Sequence, residues 1–174
     1  MNRFLLALLA LLIVAGCKPA QQAEIPPPAT LDPAATAHFC GMAVGEHPGP
    51  KGQVWLDDQK QPLWFSSVHD TIAFTLLPEE PKNIQAIYVS DMGKAPPGGG
   101  TPEDAWVEAR QAVFVIESRI AGGMGGNEEV PFADRAAALA FVNQNGGRVV
   151  AFAEIPKDGI LGTPVGIRSD KRGR

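Results

Sequence analysis

The sequence predicts an α+β protein built from two strand–strand–helix–strand (ββαβ) units in tandem. Three observations predict it. Strand-like and helix-like segments run in the same order twice along the chain. Superposing Phe65 on Phe132 also brings Ile72 onto Leu139, Ala73 onto Ala140 and Phe74 onto Phe141. A Pro- and Gly-rich linker over residues 95–104, with Pro96-Pro97-Gly98-Gly99-Gly100 at its centre, separates the halves.

Residues 1–16 read as an export signal rather than as fold. Arg3 gives a positive start, Phe4 to Ala15 is an apolar run too short to span a bilayer, and Val14-Ala15-Gly16-Cys17 resembles a bacterial lipobox. Cleavage before Cys17 and lipidation of its sulfur are expected, which would anchor the mature chain on the periplasmic side of a bacterial membrane. An ordinary secretory signal cut nearby is the alternative. Residues 17–37, with Pro19, Pro26, Pro27, Pro28 and Pro33, read as an extended tether, with ordered structure starting near His38.

The first unit spans residues 38–94. His38 to Val44 is a short strand or knuckle, and Val54-Trp55-Leu56 and Leu63-Trp64-Phe65 form a hairpin around Asp57 to Lys60. Ser66 or Ser67 caps a helix with Asp70 in its first turn, which Pro78 stops. Ile84 to Ser90 alternates as a strand, with Ile84, Ala86 and Tyr88 on one face and Ile87 and Val89 on the other. Trp55, Trp64 and Trp106 read as core aromatics. The second unit spans residues 105–156. Val107 to Ser118 reads as one long strand, and Ile120 to Asn127 is a glycine-rich loop around Met124. Glu128 to Phe132 is strand-like, and Ala133 to Gln144 is a helix with Ala136, Leu139, Ala140 and Val142 on its apolar side. Asn145-Gly146-Gly147 ends that helix, and Arg148 to Glu154 closes the unit as a strand. Residues 157–174 read as a flexible tail.

The net charge of −4 at pH 7 is not gathered into any basic block, so the composition gives no support to nucleic-acid binding. There is no Cys-x-x-Cys, no His-Glu-x-x-His and no phosphate-binding Gly-Lys-Ser or Gly-Lys-Thr loop.

The chemistry gathers at His38-Phe39-Cys40-Gly41-Met42. Cys17 and Cys40 are the two cysteines, and lipidation of Cys17 leaves Cys40 an unpaired thiol in an oxidising compartment. The plain alternative is a small buried apolar residue. On a strand, residues two apart point to one side, so the Cys40 thiolate, the Met42 thioether and the His38 imidazole can face one soft ion, Cu(I) above all. Met124, between two pairs of glycines, can donate a second thioether from the other unit. His69, at the start of the first helix, is either a further ligand or a helix-face residue, and Met92 is a weaker candidate.

Cys40-Gly41-Met42, the Phe65-Ser66-Ser67 junction, Trp106 with Ala109, Gly123-Met124-Gly125-Gly126 before Val130-Pro131-Phe132, and Gly146-Gly147-Arg148-Val149-Val150 together resemble the NosL family, accessory lipoproteins of nitrous oxide reductase. The resemblance runs in order from His38 to Glu154. It implies a Cu(I)-binding chaperone that is not an enzyme and that supplies copper for the reductase's copper–sulfur centre. It also implies two partners, the reductase apoprotein and a membrane ABC-type transporter complex. The fold it implies is two ββαβ units similar to the treble-clef part of organomercurial lyase, without the lyase activity. The family's cysteine ligand falls on Cys40 and its loop methionine on Met124. Met42 falls on the motif methionine, and His38 and His69 stay as candidates for a remaining ligand. The competing readings are a metal-free lipoprotein that scaffolds a periplasmic complex, and a thiol enzyme built on Cys40 and His69.

Overall fold

The computed structural model describes residues 25–97, 100–102, 104–122 and 126–162. The predicted signal segment, Cys17, Met124 and residues 163–174 lie outside them.

The hairpin forms as expected. Strand β1 (Gly52–Leu56) pairs antiparallel with β2 (Leu63–Phe65), and Gly52 faces Phe65. The chain then enters helix α1 (Val68–Leu76), whose N-cap is Ser67. Its hydroxyl oxygen accepts from the Asp70 N–H at 3.0 Å. Strand β3 (Ile84–Ser90) returns on the other side of β1. Ile87 and Val89 enter the core from one face, as the alternation predicts. Ile84 departs from its predicted face and packs on that core too. A register shift opposite Trp55 and Leu56 turns the start of the strand over.

The stretch predicted as one strand from Val107 to Ser118 is two. Strand β4 (Trp106–Glu108) pairs with β3, and β5 (Val113–Ile116) lies in another sheet. Between them Ala112 N–H donates to the Glu108 carbonyl at 3.1 Å, closing a turn. Ala109 and Ala112 are both buried there, so the bend carries the same apolar signature as a strand. The first sheet therefore runs β2-β1-β3-β4, taking its fourth strand from beyond the linker.

The second sheet runs β6-β5-β7, with β6 (Val130–Phe132) and β7 (Arg148–Ala151) flanking β5. Pro131 is accommodated because β6 is an edge strand. Phe114, Ile116 and Val150 point from one face of this sheet into a core shared with Val54, Leu56, Phe65, Val68, Ile72, Phe74 and Ile87. The opposite face carries Val115, Val130 and Phe132 against helix α2 (Arg135–Asn145). The predicted apolar side of α2 is corrected. Ala136, Leu139 and Ala140 are exposed, and Ala137, Ala138, Phe141 and Val142 pack inward. In an alanine-rich helix, several faces look equally apolar by sequence. Met92, partly buried, packs against this second cluster.

Order begins before His38. The Tyr88 hydroxyl donates to the Pro26 carbonyl at 2.7 Å. Gln53 exchanges two hydrogen bonds with the Ala29 backbone, at 2.8 and 3.1 Å. The part of the predicted tether from residue 25 onward is thus bound along the face of the first sheet that points away from the core. On that side Trp64 and Trp106 meet at a ring-centroid distance of 5.8 Å. The tryptophans are half-buried rather than central. The predicted tail likewise starts as a short helix, α3 (Lys157–Ile160), and Ile155 and Ile160 join the shared core.

Candidate metal centre

The stretch around Cys40 is a tight turn rather than a strand. The Ala37 N–H donates to the Met42 carbonyl and the Gly41 N–H to the Ala37 carbonyl, each at 2.8 Å. Gly41 sits at φ +67°, a left-handed conformation that favours glycine. The expectation that His38, Cys40 and Met42 share one side of a strand is corrected accordingly, since the period-two rule does not hold through such a turn. The turn is fixed at its base. Ala37 bridges Trp64 on the edge strand β2, and the His38 N–H donates to the Trp64 carbonyl at 2.8 Å. Above that base the chain is open to solvent. Cys40 is an exposed free thiol, with Phe39 and Met42 each about two-fifths exposed beside it. The reading of Cys40 as a buried apolar residue is excluded. Its Sγ lies 4.0 Å from Ser66 Oγ, a weak sulfur hydrogen-bond contact.

The two candidate histidines lie in different surroundings. His38 Nε2 is 3.3 Å from Glu80 Oε2, and its ring meets Phe39, Phe65 and Phe74 at centroid distances of 5.2, 5.7 and 5.3 Å. His69 Nδ1 is 3.1 Å from Glu129 Oε2. That hydrogen bond raises the His69 pKa above its ordinary value, against the opposing pull of burial. Among the described residues, no three His, Cys, Asp or Glu side chains converge to hold a metal ion.

Behind Cys40 lies a buried polar seam that the sequence did not disclose. Ser66 is buried, and its carbonyl accepts from the Lys51 ammonium at 3.4 Å. Lys51, 1% exposed, also donates to the His47 carbonyl. Burial pulls its pKa down to about 8, with the Glu128 charge opposing. Glu128, 2% exposed, reaches across from the second unit to the N-terminus of α1. Its Oε1 accepts from the Val68 N–H at 3.0 Å and the His69 N–H at 3.4 Å. These are the donors that a helix N-terminus leaves free. Burial, and then the neighbouring Glu129 charge, pushes the Glu128 pKa up to about 7. Glu128 and Glu129 precede β6 directly and read in sequence only as the polar start of a strand.

The same seam holds the neck of the glycine-rich loop. The Gly122 N–H donates to the Gly126 carbonyl at 2.9 Å, and Ala121 bridges Asn127. A Cβ on Gly122 would lie 2.7 Å from Glu128 Oε2, so glycine lets the neck and the carboxylate sit together. Met124 itself is outside the described residues, as is Cys17.

The NosL family model matches residues 28–160. The chain belongs to the NosL family. It is 42% identical over 171 residues to the copper-binding lipoprotein NosL of Achromobacter cycloclastes, covering 98% of this chain and 88% of that protein. It is 32% identical over 157 residues to the copper-binding lipoprotein NosL of Stutzerimonas stutzeri, covering 87% of this chain and 78% of that one. The crystal structure of the copper chaperone NosL from Shewanella denitrificans superposes with a TM-score of 0.69 at 33% identity, over 76% of this chain and 98% of that one. These NosL relatives are named for copper binding and copper chaperoning.

Proposed function

We propose that this NosL protein is a membrane-anchored Cu(I)-binding metallochaperone, lipidated at Cys17 on the periplasmic side of a bacterial membrane. It delivers copper for assembly of the copper–sulfur centre of nitrous oxide reductase. Its partners in that role are the reductase apoprotein and an ABC-type transporter complex. The observation that carries the reading is the exposed Cys40 thiol, raised on a turn with Met42 one residue beyond Gly41. A transferable ion needs such an open site, and thiolate with thioether is a donor set that selects Cu(I).

The proposed ligands are Cys40, Met42 and Met124. The neck at Gly122 is tied through Glu128 to the Ser66–His69 junction, and Ser66 touches Cys40. The His38 and His69 imidazoles stand outside the proposed set. Each is already paired with a carboxylate, and the raised pKa of His69 favours its protonated, non-ligating form.

Anaerobic Cu(I) titration of the full chain in detergent against a competing chelator tests this. Wild-type protein is expected to bind Cu(I), Cys40→Ser to lose that binding, and His38→Ala and His69→Ala to keep it. Binding unaffected by Cys40→Ser would overturn the reading in favour of a metal-free scaffold.

A further inference from the structure

Gln53 is a fully buried amide on β1, an interior strand of the first sheet. A buried polar side chain is costly unless its groups are paired. Its Oε1 accepts from the Ala29 N–H at 2.8 Å and from the Trp55 indole N–H at 3.0 Å, and its Nε2 donates to the Ala29 carbonyl at 3.1 Å. Gln53 thus holds Ala29 as a neighbouring strand would, exchanging one donor and one acceptor with its backbone.

The same row of the sheet holds the chain a second time. Gln53 lies directly opposite Trp64 in the register of β1 and β2. Ala37 bridges Trp64, and the His38 N–H donates to the Trp64 carbonyl at 2.8 Å. Residues 29–37 are therefore fixed at both ends by one cross-strand pair. Between those points the chain turns at Asp32, whose carbonyl accepts from the Ala35 N–H at 2.8 Å. Residues 35–37 then form the incoming arm of the turn that carries Cys40. The Ala35 carbonyl accepts from the Val44 N–H at 2.9 Å, Thr36 bridges Ala43, and the Ala37 N–H donates to the Met42 carbonyl at 2.8 Å. A two-stranded hairpin is marginal by itself, so this one takes its geometry from whatever holds its arms. The outgoing arm ends in Val44, which is fully buried. The incoming arm runs back into the segment that Gln53 pins.

We propose that Gln53 is a positioning residue for the copper site: by pinning Ala29 it holds the incoming arm of the turn that presents Cys40 and Met42. The inference rests on the function proposed above. With the amide removed, residues 25–36 keep the Tyr88–Pro26 hydrogen bond but lose the grip nearest the turn, and the bonds to Ala43 and Val44 fray from their open end. Cys40 and Met42, on either side of the left-handed Gly41, then lose their fixed spacing. Gln53 binds neither of them, so its effect on copper runs through that spacing.

That dependence makes the test specific. Cu(I) affinity is measured by chelator competition on full chains in detergent carrying Gln53→Ala, Met42→Leu and both changes. Gln53→Ala is expected to weaken binding about fivefold, just under the scale at which groups bonded directly to metal ligands act. In the Met42→Leu background the same change is expected to cost less than about twofold, because both substitutions remove one paired geometry. Equal losses with and without Met42 would mean a general structural role and overturn the proposal. So would an unchanged affinity in Gln53→Ala.

Amide hydrogen exchange at Ala37 and Val44 in metal-free protein reads the arm without copper. Faster exchange in Gln53→Ala than in wild type supports the hold on the turn, and unchanged exchange overturns it. If wild-type protein bound no Cu(I), the function proposed above would fail while this measurement still judged the hold. If Gln53→Ala did not fold, Ala29→Pro would take its place with the same expected dependence on Met42. It removes the N–H that Gln53 accepts from and leaves the sheet itself unchanged.

Discussion

The two units are built on one sequence plan, yet they do unequal work. Ile72 and Leu139 superpose in the repeat, but Ile72 is 3% exposed and Leu139 is 48% exposed. Phe74 is fully buried at the centre of the shared core, whereas its counterpart Phe141 sits half-covered at the edge of a smaller cluster. Helix α1 is thus the pillar of the molecule, packed by the core and gripped at its N-terminus by the other unit. Helix α2 is a lid on one face of its own sheet. A repeat in sequence does not carry equal burial, because the first sheet takes β4 from beyond the linker and the second is left with three strands.

The largest expected break in this symmetry is mechanical. Ile72→Ala should cost about 2–5 kcal/mol of stability, the range for truncating a buried aliphatic side chain. Chemical denaturation of the metal-free protein would read it. A loss below about 1 kcal/mol would mean that α1 is no better packed than α2.

Protonation gives the next effect. The Glu128 pKa is about 7 in the fold against an ordinary 4.5, so the folded state holds a proton that the unfolded state releases. Its stabilising contribution is complete below about pH 4.5 and lost as pH rises through about 7. His69, also raised, acts with the same sign from 6.5 upward. Lys51, lowered to about 8 from 10.5, has the opposite sign and returns stability only above pH 8. The metal-free protein should therefore melt at a lower temperature at pH 7.5 than at pH 5. The Glu128 part amounts to at most about 3 kcal/mol, and Glu128→Gln should flatten that fall. A midpoint that rises over this range would contradict the seam as described.

Capping should restore the symmetry between the helices. Ser67 caps α1, and the Asp134 carboxylate accepts from the Ala137 N–H at 3.1 Å to cap α2. Ser67→Ala and Asp134→Ala should each cost about 1 kcal/mol in the same denaturation assay. The smallest effect is expected from Leu139→Ala, within about 0.5 kcal/mol of wild type.

Much of the first unit was legible in the sequence, since its signals were local. The aromatic hairpin, a serine cap at Ser66 or Ser67, and the strand alternation from Ala86 to Val89 each specify an element by themselves. The misread positions depended on tertiary placement. The turn after Glu108 carries buried alanines instead of glycine or proline, so it looked like continuing strand. At Cys40 the residue types were legible, but the left-handed Gly41 that makes a turn of the motif was not. Lys51, Glu128 and Glu129 gave no sign of meeting, because nothing in a linear pattern marks which charges from separate segments will be buried together.

The central claim is one Cu(I) site shared between the units. Copper K-edge X-ray absorption of the Cu(I)-loaded chain tests it most directly, with wild type set against Met124→Leu. The account predicts sulfur scattering in wild type from Cys40, Met42 and Met124, and the loss of one sulfur neighbour in Met124→Leu. An identical spectrum for the two proteins, or a first shell of nitrogen and oxygen, would contradict it.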